Sequence, residues 1–272
     1  MKHTSHFMGL LLLPAGVLVL AFFALPMVKL IVTGASGEEG LAAYWSILTV
    51  ERHREALIAT LLLSALVTLV ALIISTIVGV FLVRNRFPGS QILVSLLTFP
   101  LAFPGVVIGF LIIMLAGRQG LIGMVSQTLT GSKLVFAYSM TGLFLGYLYF
   151  SIPRVILTVM AAAEKLDVSL EEAARSLGAS QWRVITDVLL PALKPGLIAS
   201  GAICFATSVG AFGTAFTLAT NIDVLAMTIY TEFTLGANLA SAASLSVVLG
   251  LITWAALSIA RSLSGSNVAA AG

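Results

Sequence analysis

The chain has 272 residues, 59% of them hydrophobic and only 9% charged, with a mean hydropathy of +1.10; soluble domains carry about a quarter charged residues, so a polytopic membrane protein is implied. The net charge of +3 is the balance of 14 Lys plus Arg against 11 Asp plus Glu with no basic run, which argues against nucleic acid as a partner. Cys204 is the single cysteine, so neither an intrachain disulfide nor a thiolate metal cluster is possible.

Crossing roughly 30 Å of hydrocarbon takes about 20 apolar residues, and the hydropathy pattern predicts an all-α chain with one membrane domain over 1–272. The first span is expected over residues 7–32, after a polar start that carries Lys2, His3 and His6. A cleaved signal peptide is the competing reading. The apolar run is too long for it, and Ala24-Leu25-Pro26 puts a proline next to the cut, so a retained span is expected. His3 and His6 read as bystanders at a chain end.

A polar loop follows to about Glu55, with the cluster Glu51-Arg52-His53-Arg54-Glu55, in which His53 reads as solvated. The second span is expected over 56–83 and the third over 91–116, with the basic turn Arg84-Asn85-Arg86 between them. Pro100 and Pro104 remove backbone donors and should kink or break the third span. A Gly-, Ser- and Thr-rich loop over 117–139 leads to the fourth span at 140–160. There Gly142 and Gly146 repeat the small-residue spacing that lets helices approach in lipid.

Residues 161–195 form the one sizeable polar block between spans. Ser169 followed by Glu172 has the capping-box spacing, and Leu170, Ala173, Ala174 and Leu177 then fall on one small apolar face. Gly178 sits where a helix end asks for positive φ. Ser180 can cap a second helix, whose apolar side holds Trp182, Ile185, Val188 and Leu189, and Pro191 and Pro195 should stop it. Read locally, such a segment is either an amphipathic linker on the lipid surface or a docking element.

The fifth span is expected over 196–219, a loop with Asp223, Tyr230 and Glu232 over 220–240, and the sixth span over 241–260; Arg261 and a small-residue tail read as disordered. With the N-terminus inside, Lys2, Arg84, Arg86, Lys165, Arg175, Arg183, Lys194 and Arg261 face the cytoplasm, against Lys29, Arg52, Arg54, Arg118 and Lys133 outside. That bias places both termini and the 161–195 loop in the cytoplasm.

No phosphate-cradling Walker loop is present, and no His-Glu-x-x-His pair or Gly-x-Ser-x-Gly elbow, so the chain is not expected to be an enzyme or to hold ATP. Arg154 lies about ten residues before Glu164, roughly 15 Å inside the boundary. A guanidinium at that depth faces water, an acid on a partner, or a negatively charged solute. Ser208 and Thr214 with Phe212 and Phe216 surround a glycine-rich run that reads as packing or as a pathway lining.

Glu172-Ala173-Ala174, Gly178 and Leu190-Pro191 resemble the cytoplasmic EAA loop of permease subunits in bacterial ABC importers of the type I, binding-protein-dependent class. The resemblance implies six transmembrane helices with a two-helix coupling loop, docked through Glu172, Ala173, Ala174, Leu177, Gly178, Ala179, Trp182 and Pro191 onto an ATPase. It implies two ATPase subunits that carry ATP and Mg, a second permease subunit, and a periplasmic or lipid-anchored solute-binding protein met near Asp223, Tyr230 and Glu232. Arg154, Phe212, Thr214 and Phe216 become pathway candidates, in a multi-pass protein of the bacterial inner membrane. Ser151-Ile-Pro-Arg-Val and Gly210-Ala-Phe-Gly-Thr resemble the branch that carries polyamines, opines, aminophosphonates and ferric ion. The alternatives of another class are a secondary transporter or channel and an intramembrane enzyme.

Overall fold

A computed structural model of the chain describes residues 13–218 and 222–264. Lys2, His3, His6, the start of the first expected span, residues 219–221 and the tail from 265 lie outside them. The described residues are helical without a strand. Among the described residues six helical stretches are long and apolar enough to cross a membrane, the third running Gly105–Thr130.

Helix α1 runs Leu13–Gly34. Helix α2 is Glu51–Arg84 and starts earlier than the sequence suggests. Glu51 at its first turn complements the helix dipole, so the charged cluster opens the helix and is not loop. The third expected span divides: α3 is Ser90–Thr98, a 3-10 turn covers Phe99–Ala102, and α4 is Gly105–Ala116. Pro100 and Pro104 mark the division, as their missing donors require.

The polar stretch 117–139 is not all loop, because α5 occupies Leu121–Thr130 and ends at Gly131 with φ +73°. Leu121, Met124, Val125 and Leu129 give it an exposed apolar side at helical spacing. Helices α6, Met140–Glu164, and α7, Val168–Ser176, follow.

Helix α8 runs unbroken over Gln181–Val209. The expected stop at Pro191 and Pro195 is therefore wrong. A π-helical turn over Val184–Leu189 immediately precedes the prolines, and its wider ring shifts the carbonyl register just where Pro191 lacks a donor. Helix α9 is Gly213–Leu218, α10 is Leu225–Thr234 within the expected loop, and α11 is Leu239–Ser264. Arg261 and Ser262 thus lie on helix and not in the tail.

The described residues group into two compact units. The smaller takes those up to Glu55 with Thr228–Leu251; the larger takes Ala56–Met227 with those from Ile252. In the smaller, a Cβ on Gly34 would lie 2.6 Å from the Tyr44 hydroxyl and 3.1 Å from the Ser244 amide. Only glycine admits that approach. The Tyr44 hydroxyl donates to the Ile31 carbonyl at 2.6 Å.

The larger unit holds a core of Leu63, Val67, Ile112, Leu143, Val155 and Leu218 with their neighbours. Hydroxyls join its helices where lipid offers no partner for polar backbone. Ser75 donates to the Ile152 carbonyl at 3.2 Å and ties α2 to α6. The Thr60 hydroxyl accepts from the Leu225 amide at 2.8 Å while donating to Ala56 at 2.7 Å.

Candidate functional site

The first candidate region is the segment around α7. Asp167, not Ser169, is its N-cap: the carboxylate accepts from the Ser169 amide at 2.9 Å. The capping-box reading is thus corrected: the cap lies two residues earlier than Ser169. Asp carries its acceptor on a shorter arm than Glu, and starting at Val168 keeps Ser169 inside the first turn. The backbone amide of Ser169, with its hydroxyl, holds the Asp167 carboxyl below the ordinary carboxylate range.

The other end of α7 forms the expected glycine stop. Gly178 has φ +84°, its amide donates to Arg175 at 2.9 Å, and Ala179 donates back to Ala174 at 3.0 Å. Those two bonds define a Schellman motif. Ser180 caps α8, its hydroxyl accepting from Arg183 at 3.4 Å.

Leu177 is 89% exposed and Trp182 72% exposed, with Val168 and Leu170 also in the open. Glu172 and Ala173 are exposed, and Ala174 and Ala179 are half-buried. Pro191 lies elsewhere, lining an apolar groove of about 660 Å³ between α2 and α8 with Leu72, Lys194 and Leu197. The helix therefore turns its large apolar side chains outward. Its inward side carries a residue the sequence reading missed, Glu171, which is 4% exposed.

Glu171 meets Arg84 at the end of α2, with Nη2 to Oε1 at 2.7 Å, and Arg175 at 3.4 Å one turn along α7. The Glu171–Arg175 spacing of four residues was a readable signal. The Arg84 contact was not, because it joins distant parts of the chain.

The second candidate region is a cavity of about 290 Å³ beside the junction of α8 and α9. Pro100, Phe103, Phe150, Arg154, Thr207 and Thr214 are among its lining. The fold thus brings together two pathway candidates, Arg154 and Thr214. Among the described residues no carboxylate pairs with Arg154. The Thr214 hydroxyl donates to the Gly105 carbonyl at 3.0 Å. Phe212 and Phe216 are not in the lining; their rings face each other with centroids 5.3 Å apart.

Asp223 is exposed in the larger unit, whereas Tyr230 and Glu232 are half-buried on α10 in the smaller one. His53 is buried, not solvated, with Nε2 3.7 Å from a Glu232 oxygen. Starting α2 at Glu51 turns that ring inward. Among the described residues no cluster of His, Cys, Asp or Glu could hold a metal ion.

A model of the family described as "Binding-protein-dependent transport system inner membrane component" matches residues 71–265. The chain is 39% identical to the molybdenum transport system permease protein ModB of Escherichia coli K12 over 165 residues, 59% of this chain and 71% of that one. It is 31% identical over 264 residues to the putative 2-aminoethylphosphonate transport system permease protein PhnU of Salmonella typhimurium, covering 94% and 92%. In fold it is similar to a chain of a bacterial alginate ABC transporter crystallised with its alginate-bound periplasmic protein, with a TM-score of 0.80, 17% identity and coverage of 96% and 95%. The chain belongs to the binding-protein-dependent transport system inner membrane component family, the permease subunits of ABC importers of the type I class.

Proposed function

We propose that this permease subunit forms half of the pathway for a small oxyanion and is driven through α7 by a separate ATPase. The observation that carries the solute class is Arg154, a guanidinium in a membrane-depth cavity with no carboxylate against it among the described residues. Such a charge is costly unless water or an anion meets it. Molybdenum travels in neutral water as a tetrahedral oxyanion, and 2-aminoethylphosphonate carries a phosphonate, so the names of both relatives fit that charge. Of the solutes implied by the sequence resemblance, an aminophosphonate suits the cavity. A polyamine would set like charge against Arg154.

The drive follows from α7 and α8. A groove on an ATPase subunit covers Val168, Leu177 and Trp182, the apolar side chains left in the open. Displacement of α7 passes through Gly178 into α8, whose 29 residues form a rod of about 43 Å. That rod ends at the break before α9, where Ala211 and Gly213 border the Arg154 cavity. Two ATPase subunits supply ATP and Mg, a second permease subunit completes the pathway, and a periplasmic or lipid-anchored binding protein delivers solute near Asp223. Both termini lie in the cytoplasm by the Lys and Arg bias. Membership of the family stands against a gradient-driven carrier or channel.

The test is uptake by the reconstituted transporter carrying Arg154→Ala, with molybdate, 2-aminoethylphosphonate and spermidine as probes. Loss of a charged hydrogen-bond donor predicts an uptake of the anionic probe lower by about ten-fold or more. Uptake at the original rate with unaltered preference contradicts the oxyanion reading.

A further inference from the structure

Helix α7 has nine residues, too few to stay folded or fixed by its own hydrogen bonds. Its attachment therefore decides how a push on it is delivered. The chain ties it at both ends, through residues 165–167 to α6 and through Gly178 to α8. Its buried side-chain tie is Glu171. Its side chain is 6% exposed and meets the Arg84 guanidinium, 18% exposed, at 2.7 Å, while the more open Arg175 stands at 3.4 Å.

Arg84 is the last residue of α2, and α2 is built into the core through Leu63, Val67 and Ala71. It also approaches α6 closely, since a Cβ on Gly79 would lie 3.0 Å from Val159. The ion pair consequently joins α7 to α2, a membrane helix to which the chain does not connect it directly. Although the N···O distance is short, Arg84 Nε and Nη2 and Glu171 Oε1 complete no aligned hydrogen bond. A buried pair of that geometry adds little net stability, because desolvation offsets most of the attraction. Stability alone is a weak reason for placing it there, and removing one partner leaves a buried charge that α7 must move to relieve.

We infer that Arg84 is a positioning residue for energy coupling: through Glu171 it holds α7 in register against α2, so that the ATPase stroke moves α2 together with α8. This rests on the reading that α7 docks the ATPase. The pair stands outside the EAA segment on one side and belongs to neither cavity.

The experiment uses the assembled transporter in liposomes with its binding protein. Arg84→Gln, Glu171→Gln, the double variant and Arg84→Lys are compared with the native chain. The readouts are ATPase co-purified, basal ATP hydrolysis, its stimulation by solute-loaded binding protein, and the melting temperature of the complex. Arg84→Gln is expected to lose stimulation by about five-fold or more. The double variant should lose no more than the worse single one, because both remove the same contact. Arg84→Lys should recover part of the stimulation by restoring the charge. Loss of the ATPase from Arg84→Gln with the chain's own melting unchanged supports the same positioning.

Native stimulation in both single variants overturns the inference. So does a fall in melting temperature with stimulation unchanged, which leaves the pair a structural role only. If the native chain itself captures no ATPase, the docking reading fails first and independently.

Discussion

The Tyr147 hydroxyl, buried on α6, donates to the backbone carbonyl of Ala211 at 2.6 Å, in the break between α8 and α9. A broken helix leaves carbonyls without intrahelical donors, and hydrocarbon offers no water to replace them. Tyr147 therefore pins the break beside the Arg154 cavity. Tyr147→Phe keeps the ring and removes the donor, so it should destabilise the purified complex by about 1–2 kcal/mol, seen as a lower melting temperature. Unchanged melting would mean that water reaches Ala211.

Close contact between α4 and α9 makes a second, steric prediction. A Cβ on Gly109 would lie 2.5 Å from the Thr217 Cβ, whereas one on Gly16 would meet nothing within 4 Å. Gly109→Ala should cost about 1–3 kcal/mol, since an overpacked contact must push helices apart. Gly16→Ala should change stability by less than about 1 kcal/mol in either direction. Thermal unfolding of the two variants in detergent separates them.

The Asp167 cap makes α7 sensitive to acid. The Ser169 amide lowers the folded carboxyl's pKa below its ordinary value, so the cap contributes fully above the ordinary carboxylate range. Its contribution is lost as pH falls through the lowered value. Protection of the first-turn amides from hydrogen exchange, corrected for intrinsic rate, should decline on that acid side. Asp167→Asn should keep the cap and abolish the pH dependence, and Asp167→Ala should lose both.

Four of the spans are legible in the sequence because each contains an apolar run about as long as a bilayer requires, whereas the third, expected at 91–116, falls at Gly105–Thr130 and the fifth, expected at 196–219, at Gln181–Val209. The break at Pro100 and Pro104 is legible too, since a missing donor acts locally. Helices α5 and α10 are not. The Gly, Ser and Thr of α5 and the three Thr and one Glu of α10 suit loops, and only the fold decides that their apolar sides are used. The rule that proline ends a helix fails at Pro191, because the π-helical turn ahead of it absorbs the conflict.

At the candidate site, Gly178 and Ser180 could be placed from local geometry alone, and both hold those positions. Glu171 could not. An acid beside another acid on a short polar helix reads as solvated, and its burial depends on Arg84 arriving from a different span. The same holds for His53, whose partner Glu232 comes from a segment read as loop. Arg154 could be placed by depth along α6, but its company with Thr214 is a product of packing.

The central claim is that α7 is the seat of a nucleotide-hydrolysing neighbour, and Leu177, exposed beside Gly178, is the side chain that reports on it most directly. Leu177→Cys can be cross-linked in the assembled membrane complex with a short thiol reagent, because the native Cys204 is buried. The account predicts an adduct with an ATPase subunit, formed from the cytoplasmic side and blocked when Gly178→Asp displaces the turn. A cysteine at 177 that labels from outside intact cells, or that forms no adduct with any ATP-hydrolysing subunit, would contradict it.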